Sequence, residues 1–316
     1  MNILITGAMG YIGSQLVKKM MQLNQERDTP WQIIATDIKE KADFNMDEHV
    51  HYIKMDVRSP QVLTVLMHYE IDTVIHLATI VTPGKKSNRE FEYSVDVEGT
   101  QNILEASVDC GIERVVITSS GAAYGYHPDN AEWIKEDHPI RGNEEFAYSY
   151  HKRLVEEMLA DYRRRYPQLE QVIFRIGTIL GENVDNQITD LFKKKRLLGI
   201  KGSDSPFVFI WDQDVIACLI KAIESEKVGI YNVAGDGALT VDELANILDK
   251  KVIRIPVKLI RGALFALKRL RLTQYGEEQV NFLRYRPVLD NTKLKEDFGY
   301  KPTYTSEEVF REYVRE

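Results

Sequence analysis

An α/β fold, a doubly wound parallel sheet with a smaller C-terminal α/β lobe, follows from three observations on this sequence. Short β-branched apolar runs alternate with longer helical patterns through the first half of the chain. A glycine-rich turn joins the first of those runs to the first helical pattern. Beyond Gly181 the rhythm breaks into shorter, more charged pieces. Strands that are apolar along their length are covered on both faces, and strand–helix alternation makes neighbouring strands parallel.

The elements read in order. NILIT (2–6) is a buried strand, and IGSQLVKKMMQL after the glycines has helical spacing. QIIATDI (32–38), HYIKMDV (51–57), TVIHLAT (73–79) and RVVITSS (114–120) are the next strands. PQVLTVLMHYE and SVDVEGTQNILEASVDCG lie between them, with apolar residues at i, i+3 and i+4. A long helix is expected at about 146–166, then the strand QVIFRIG (171–177). This gives a first domain over 1–180, with the chain crossing back at about 213–235, and a smaller lobe made mostly of 181–316. The run Lys193, Lys194, Lys195, Arg196 reads as a solvated helix face. KLIRGALFALKRLRL (258–272) is basic and amphipathic. It reads as a packed surface helix, with a lid or a membrane-surface contact as the alternatives.

Composition narrows the function classes. At 316 residues with 44% hydrophobic content, the chain can bury a large core, which excludes disorder. A net charge of -7 argues against a general nucleic-acid binder, which needs a basic surface. Two distant cysteines, Cys110 and Cys218, imply neither a disulfide framework nor a thiolate metal site. None of the seven histidines falls in an H-E-x-x-H pattern, so no metal is expected. No apolar run approaches bilayer length, and the N-terminus reads as mature fold, so a cytoplasmic location is expected.

Gly7-Ala8-Met9-Gly10-Tyr11-Ile12-Gly13 stands between strand and helix. Gly7 permits the tight turn, Gly10 lets backbone approach a pyrophosphate, and Gly13 lets helix pack closely on strand. The helix N-terminus then offers free N–H groups to the phosphates. Asp37 closes the second strand; a carboxylate there accepts the ribose hydroxyls of NAD and repels the extra phosphate of NADP. Lys39 nearby softens that preference. Asp56, after the third strand, is placed to reach the adenine amino group. The expectation is a Rossmann-type domain that prefers NAD to NADP.

Tyr148 and Lys152 are spaced one helical turn apart on one face. An ammonium beside a phenol favours the phenolate, so the tyrosine can exchange a proton with a secondary alcohol while a nicotinamide exchanges hydride. Ser120 ends the strand RVVITSS, at the sheet edge where ligands of open α/β folds bind. Its hydroxyl can hold the substrate oxygen near the phenol. His151 is expected at the surface, off the Tyr148 face. His76 reads as a satisfied strand-end histidine, Tyr124 and Tyr150 as wall or packing residues, and Trp211 as core or pocket lining.

These motifs, with HLAT (76–79), TSSGAAYG (118–125), FRIGTILG (174–181), WDQDV (211–215), YNVAGDGALTVDEL (231–244) and FGYKPTYTSEE (298–308), span nearly the whole chain. Together they resemble the extended short-chain dehydrogenase/reductase superfamily, in its NAD-dependent epimerase/dehydratase branch, and a divergent UDP-glucose 4-epimerase-like group within it. The resemblance implies Ser120, Tyr148 and Lys152 as catalytic triad. It implies Gly7, Gly10, Tyr11, Ile12, Gly13, Asp37, Asp56, Val57, Leu77, Ala78, Tyr148 and Lys152 as cofactor contacts. It also implies a sugar or nucleotide-sugar substrate, and homodimers formed through the helices near 88–110 and 146–166.

The chain departs from the branch at informative places. Thr178 stands where many nucleotide-sugar enzymes carry Asn, and Phe207 where an Arg grips the diphosphate. Arg175, Arg254, Arg261 and Arg286 are the candidates to bind phosphate instead. Gly121 and Ala122 replace the Asp-Glu pair of the 4,6-dehydratases, so dehydratase chemistry is not expected. Asp96 replaces the Asn that orders a proton-relay water, and an Asp also holds water. The leading expectation is an epimerase-like enzyme. The alternatives are a dehydrogenase of a more lipophilic alcohol, suggested by Phe207 and the 258–272 helix, and a non-catalytic NAD-binding regulator. Such regulators typically lack the Tyr or the Lys, and both are present.

Overall fold

The computed structural model describes residues 1–81, 88–182, 184, 186–270, 276 and 279–315. The first half runs β1 (Asn2–Thr6), α1 (Tyr11–Asn24), β2 (Gln32–Asp37), β3 (Val50–Lys54), α2 (Gln61–His68) and β4 (Thr73–His76). It continues through α3 (Arg89–Tyr93), a π-helical turn (Ser94–Glu98), α4 (Gly99–Asp109), β5 (Arg114–Ser120) and a 3-10 turn (Gly121–Tyr124). Then come α5 (Ala147–Arg165), β6 (Glu170–Ile176), β7 (Thr178–Leu180), α6 (Gln187–Phe192), β8 (Arg196–Ile200), β9 (Phe209–Trp211) and α7 (Asp212–Glu224). The last elements are β10 (Gly229–Val233), α8 (Val241–Ile247), β11 (Lys251–Ile255), α9 (Val257–Arg269), α10 (Gln279–Arg284), α11 (Thr292–Glu296) and α12 (Ser306–Arg315).

A seven-stranded sheet has the order β10-β6-β5-β4-β1-β2-β3, the doubly wound arrangement expected from the alternating runs. β3, β2, β1, β4 and β5 pair parallel, with Ile3 opposite both Ile33 and Thr73. The winding reverses between β1 and β4, the point outside which open α/β sheets bind ligands. Strand side chains alternate between faces. Leu4, Ile34, Val74, Val115, Ile117 and Ile173 pack with α2, α4 and α5 residues such as Leu66, Ile103 and Leu159. Ile3, Ile5, Ile33 and Ala35 alternate with these and are also fully buried, so both faces are covered. Each buried Val, Leu or Ile contributes about 1.5–3 kcal/mol, and the unbroken apolar runs of the sequence follow from this two-sided burial.

The chain divides into two compact units. The first comprises 1–120, 151–175 and 212–231; the second comprises 121–150, 176–211 and 232–316. The second holds the small parallel pairs β11-β8 and β7-β9. Its core is aromatic, with Phe192, Phe207, Phe209 and Phe310 packed together. Thr240 and Glu243 form a capping box that starts α8. Among the described residues, no helix is long and apolar enough to cross a membrane.

Two expectations are corrected. The Lys193–Arg196 run is not a helix face: α6 ends at Phe192, and the run forms the exposed turn into β8. The Asn186/Thr189 capping box starts α6 only two turns earlier, and the β8–β11 ladder claims Arg196 onward. The 258–272 stretch is helical to Arg269 but lies largely in solvent, with Ile260 its one buried residue; residues 271–272 fall outside the described residues.

Candidate active site

The glycine turn leaves no room for side chains at Gly7 and Gly13. β1 ends at Thr6, and Gly7 takes φ +67°, a backbone conformation that favours glycine. A Cβ on Gly7 would stand 2.8 Å from the Ala78 backbone nitrogen, so the exit of β4 runs directly against the turn. A Cβ on Gly13 would lie 2.2 Å from the Gly7 carbonyl oxygen, which locks the first turn of α1 onto the loop. Leu77 N–H donates to the Thr6 carbonyl and Ala78 N–H to Thr6 Oγ1, at 3.2 and 3.3 Å. Gly10 caps α1 without a side-chain hydrogen bond, so no capping side chain of its own stands at the helix start. Tyr11 donates its hydroxyl proton to buried Asp212, at 2.7 Å.

Asp37 stands at the end of β2 and its Oδ2 accepts from Met9 N–H at 3.0 Å, tying the strand end to the glycine loop. Lys39 folds back to donate to the Met9 carbonyl at 2.9 Å. Burial, with the charges of Asp37, Glu40 and Asp43, raises the Tyr52 phenol above its ordinary pKa. Asp56 is gripped by the Arg58 guanidinium at 2.6 Å, whose hydrogen bonds hold its carboxyl below the usual range. Val57 is buried in the core with α4 residues.

Lys152, on α5, is buried, and its ammonium donates to the Thr118 carbonyl on β5 at 2.9 Å, two residues before Ser120. Burial lowers its pKa, against the opposing charges of Asp96 and Glu156. Tyr148 lies in the first turn of the same helix. One turn beyond Lys152, Glu156 takes a bidentate bond from Arg175 and a 2.5 Å bond from Ser119, with Arg175 and Glu156 both 3% exposed. That network pins α5 to β5 and β6, and with them the height of the lysine.

Asp96 sits in the π-helical turn between α3 and α4; such bulges often mark functional sites. Its Oδ1 accepts from Thr79 Oγ1 and Ile80 N–H at 2.9 and 2.8 Å. Its Oδ2 meets His151 Nδ1 at 3.0 Å. His151 is therefore buried at 1% exposure, a correction to the expected surface position. Helical spacing from Tyr148 placed it off the tyrosine's face, but that direction leads into the π-turn rather than to water. Asp96, Thr79, Thr118 and Lys152 line a cavity of about 10 Å³, room for a single water molecule. His76 bonds Thr6 and Thr100 through its two ring nitrogens, and burial pulls its pKa down to about 3.

In the second unit, Tyr124 is a packing residue whose hydroxyl bonds Asn232 at 2.8 Å. Trp211 packs at the margin of the aromatic core. Phe207 is 3% exposed and stacks on Phe209, so it belongs to that core rather than to an open apolar pocket. The four candidate arginines separate clearly. Arg175 is committed to Glu156 and Arg254 to Asp242, while Arg261 lies exposed on α9. Arg286 lies 3.8 Å above the Phe207 ring and donates to Ser205, with no carboxylate partner among the described residues. Burial pulls its pKa down to about 9, and its Nε has no hydrogen-bond partner among the described residues. Among the described residues no cluster of His, Cys, Asp or Glu suits a metal ion.

A glycine cradle at a helix start, a strand-end aspartate and a Tyr-x-x-x-Lys helix define a dinucleotide-dependent α/β oxidoreductase architecture. The chain belongs to the NAD dependent epimerase/dehydratase family, whose model matches residues 3–234. It is 25% identical over 323 residues to an uncharacterized protein of Mycobacterium tuberculosis, covering 99% of this chain and 83% of the relative. Its fold is similar to the UDP-glucose 4-epimerase of Thermotoga maritima solved with UDP-glucose, at TM-score 0.75 and 20% identity, over 100% and 99% of the two chains. It is also similar to the Thermus thermophilus UDP-glucose 4-epimerase complex with NAD, at TM-score 0.73 and 23% identity, with the same coverage.

Proposed function

We propose that this protein is an NAD-dependent, epimerase-like oxidoreductase that acts at a secondary alcohol of a nucleotide sugar. The observation that carries this reading is the Tyr148–Lys152 helix, with the lysine ammonium held on the β5 carbonyl of Thr118. The glycine turn, whose room a Cβ would fill, and the Asp37–Met9 tie suit a pyrophosphate and an adenine ribose without a further phosphate. Bound NAD supplies the hydride acceptor and donor.

Tyr148 removes the alcohol proton as a phenolate and returns it when the carbonyl is reduced again. Lys152 supplies the positive charge that lowers the cost of that phenolate, and its desolvated position keeps the interaction strong. Ser120 donates a hydrogen bond to the substrate oxygen as its charge changes. Epimerisation needs the ketone to be retained and turned between the two hydride transfers. Arg286, a half-buried cation without a carboxylate partner among the described residues, supports an anionic substrate such as a nucleoside diphosphate sugar, and the second unit is the substrate lobe on this reading. The same proposal takes the molecule as a homodimer, testable by light scattering.

The test is the interconversion of UDP-galactose and UDP-glucose, together with the NAD content of protein denatured after purification. Retained NAD and interconversion support the proposal. Absence of both binding and interconversion of these substrates refutes it.

A further inference from the structure

We propose that α9 docks the protein onto an anionic lipid bilayer, lying flat on its surface. This goes beyond the proposed chemistry and does not depend on it.

Among the described residues, the helix packs by one edge. Val257, Ile260 and Leu264, spaced i, i+3 and i+7, pack with Ile200, Ile255, Val280 and Leu283. The residues beside that edge continue the apolar surface into solvent. Leu259, Ala263, Ala266 and the C-cap Leu270 follow one another at i, i+4, i+7 and i+11, and Leu259 and Leu270 are 66% and 65% exposed. On the other side of the outward face stand Lys258, Arg261, Lys268 and Arg269, with Phe265 among them at 55% exposure. Gly262 lies between the two stripes, and a Cβ there would meet nothing within 4 Å. An apolar stripe carrying large side chains beside a lysine- and arginine-rich stripe is the pattern of helices that lie in a membrane interface.

Charge decides the occupant. Residues 250–276 hold eight lysines and arginines and no carboxylate. The rest of the chain holds all 48 acidic residues against 33 basic ones, a net of -15. An anionic surface therefore attracts this segment and repels the remainder, which orients the molecule with α9 toward the lipid. A second copy of α9 brings cation against cation.

The test is co-sedimentation of the full chain with vesicles of phosphatidylcholine alone, or of phosphatidylcholine and phosphatidylglycerol mixed two to one. Binding to the mixed vesicles only, weakening as salt is raised, is the expected result. Lys258→Gln with Arg261→Gln lowers the partition coefficient about 25-fold, about fivefold per cation removed. Leu259→Ser with Leu270→Ser lowers it independently, and both variants keep the wild-type melting temperature and NAD affinity. Binding to neither vesicle, equal binding to both, or unchanged binding by both variants overturns the proposal. So does the loss in these variants of a concentration-dependent dimer seen by light scattering, which would assign the face to a second copy.

Discussion

Replacing Gly13 by alanine adds one methyl group at a point where the backbone leaves no room. The new Cβ would stand 2.2 Å from the Gly7 carbonyl oxygen and 2.8 Å from Ala8 Cα. Relief to ordinary contact moves the loop or the helix start by about 1 Å, because packed backbone does not compress. In an open helix position the same change stabilises by about 1 kcal/mol. Every atom the new Cβ meets is backbone, so overpacking falls in the upper part of its range, about 2–3 kcal/mol, and a net loss of about 1–2 kcal/mol remains. At about 2–4 °C per kcal/mol for a domain of this size, the melting temperature falls by about 2–8 °C. The displaced loop also misplaces its N–H groups. Each charged hydrogen bond lost to the pyrophosphate, at about 1.5–3 kcal/mol, weakens NAD binding by about 10–150-fold. Thermal melting of the NAD-free protein and calorimetric titration with NAD read the two effects separately. Gly10→Ala is the internal comparison: its Cβ meets the Gly7 carbonyl at 3.1 Å, so apo stability stays within about 0.5 kcal/mol of wild type. A Gly13→Ala protein with unchanged melting and unchanged NAD affinity refutes the reasoning.

Four further expectations concern separate parts of the molecule. Tyr148→Phe removes the proton-transfer group, and turnover falls by about 10²–10⁴-fold while NAD titration is unchanged. Arg175→Met leaves Glu156 buried without its cation, and denaturant unfolding records a loss of about 3–5 kcal/mol, the range for breaking a buried pair from one side. His76, neutral in the fold with a pKa of about 3 against 6.5 when exposed, binds its proton more readily in the unfolded chain. Stability therefore falls as pH drops below 6.5, by about 2 kcal/mol at pH 5, and His76→Gln flattens that slope in unfolding titrations. Arg286→Leu weakens UDP-sugar affinity by about 10-fold or more in calorimetry and leaves NAD affinity unchanged.

The sequence carried the architecture because the forces behind it are local or periodic. β1, β2, β4, β5 and β6 appear as apolar runs since burial on both faces demands apolar residues, whichever strands become neighbours, while the edge strand β3 buries only Val50. The glycine turn is equally legible, because a positive φ at Gly7 and a helix seated on a carbonyl at Gly13 admit no side chain. Tyr148 and Lys152 fall one turn apart within a single helix, so their relation survives without knowledge of the fold.

Tertiary structure decided what depends on partners distant in the chain. Four arginines were equivalent in the sequence, and Arg286 stands apart only because Glu156 and Asp242 claim two of the others and α9 carries Arg261 into solvent. His151 read as a surface residue from its helix alone; Asp96, 55 positions earlier, draws it into the core. Phe207 suggested an apolar pocket until Phe209 was found stacked on it. The amphipathic pattern of α9 was visible from the start, but not the edge it buries. Periodicity reports that a residue is apolar, and only packing determines whether protein or solvent meets it.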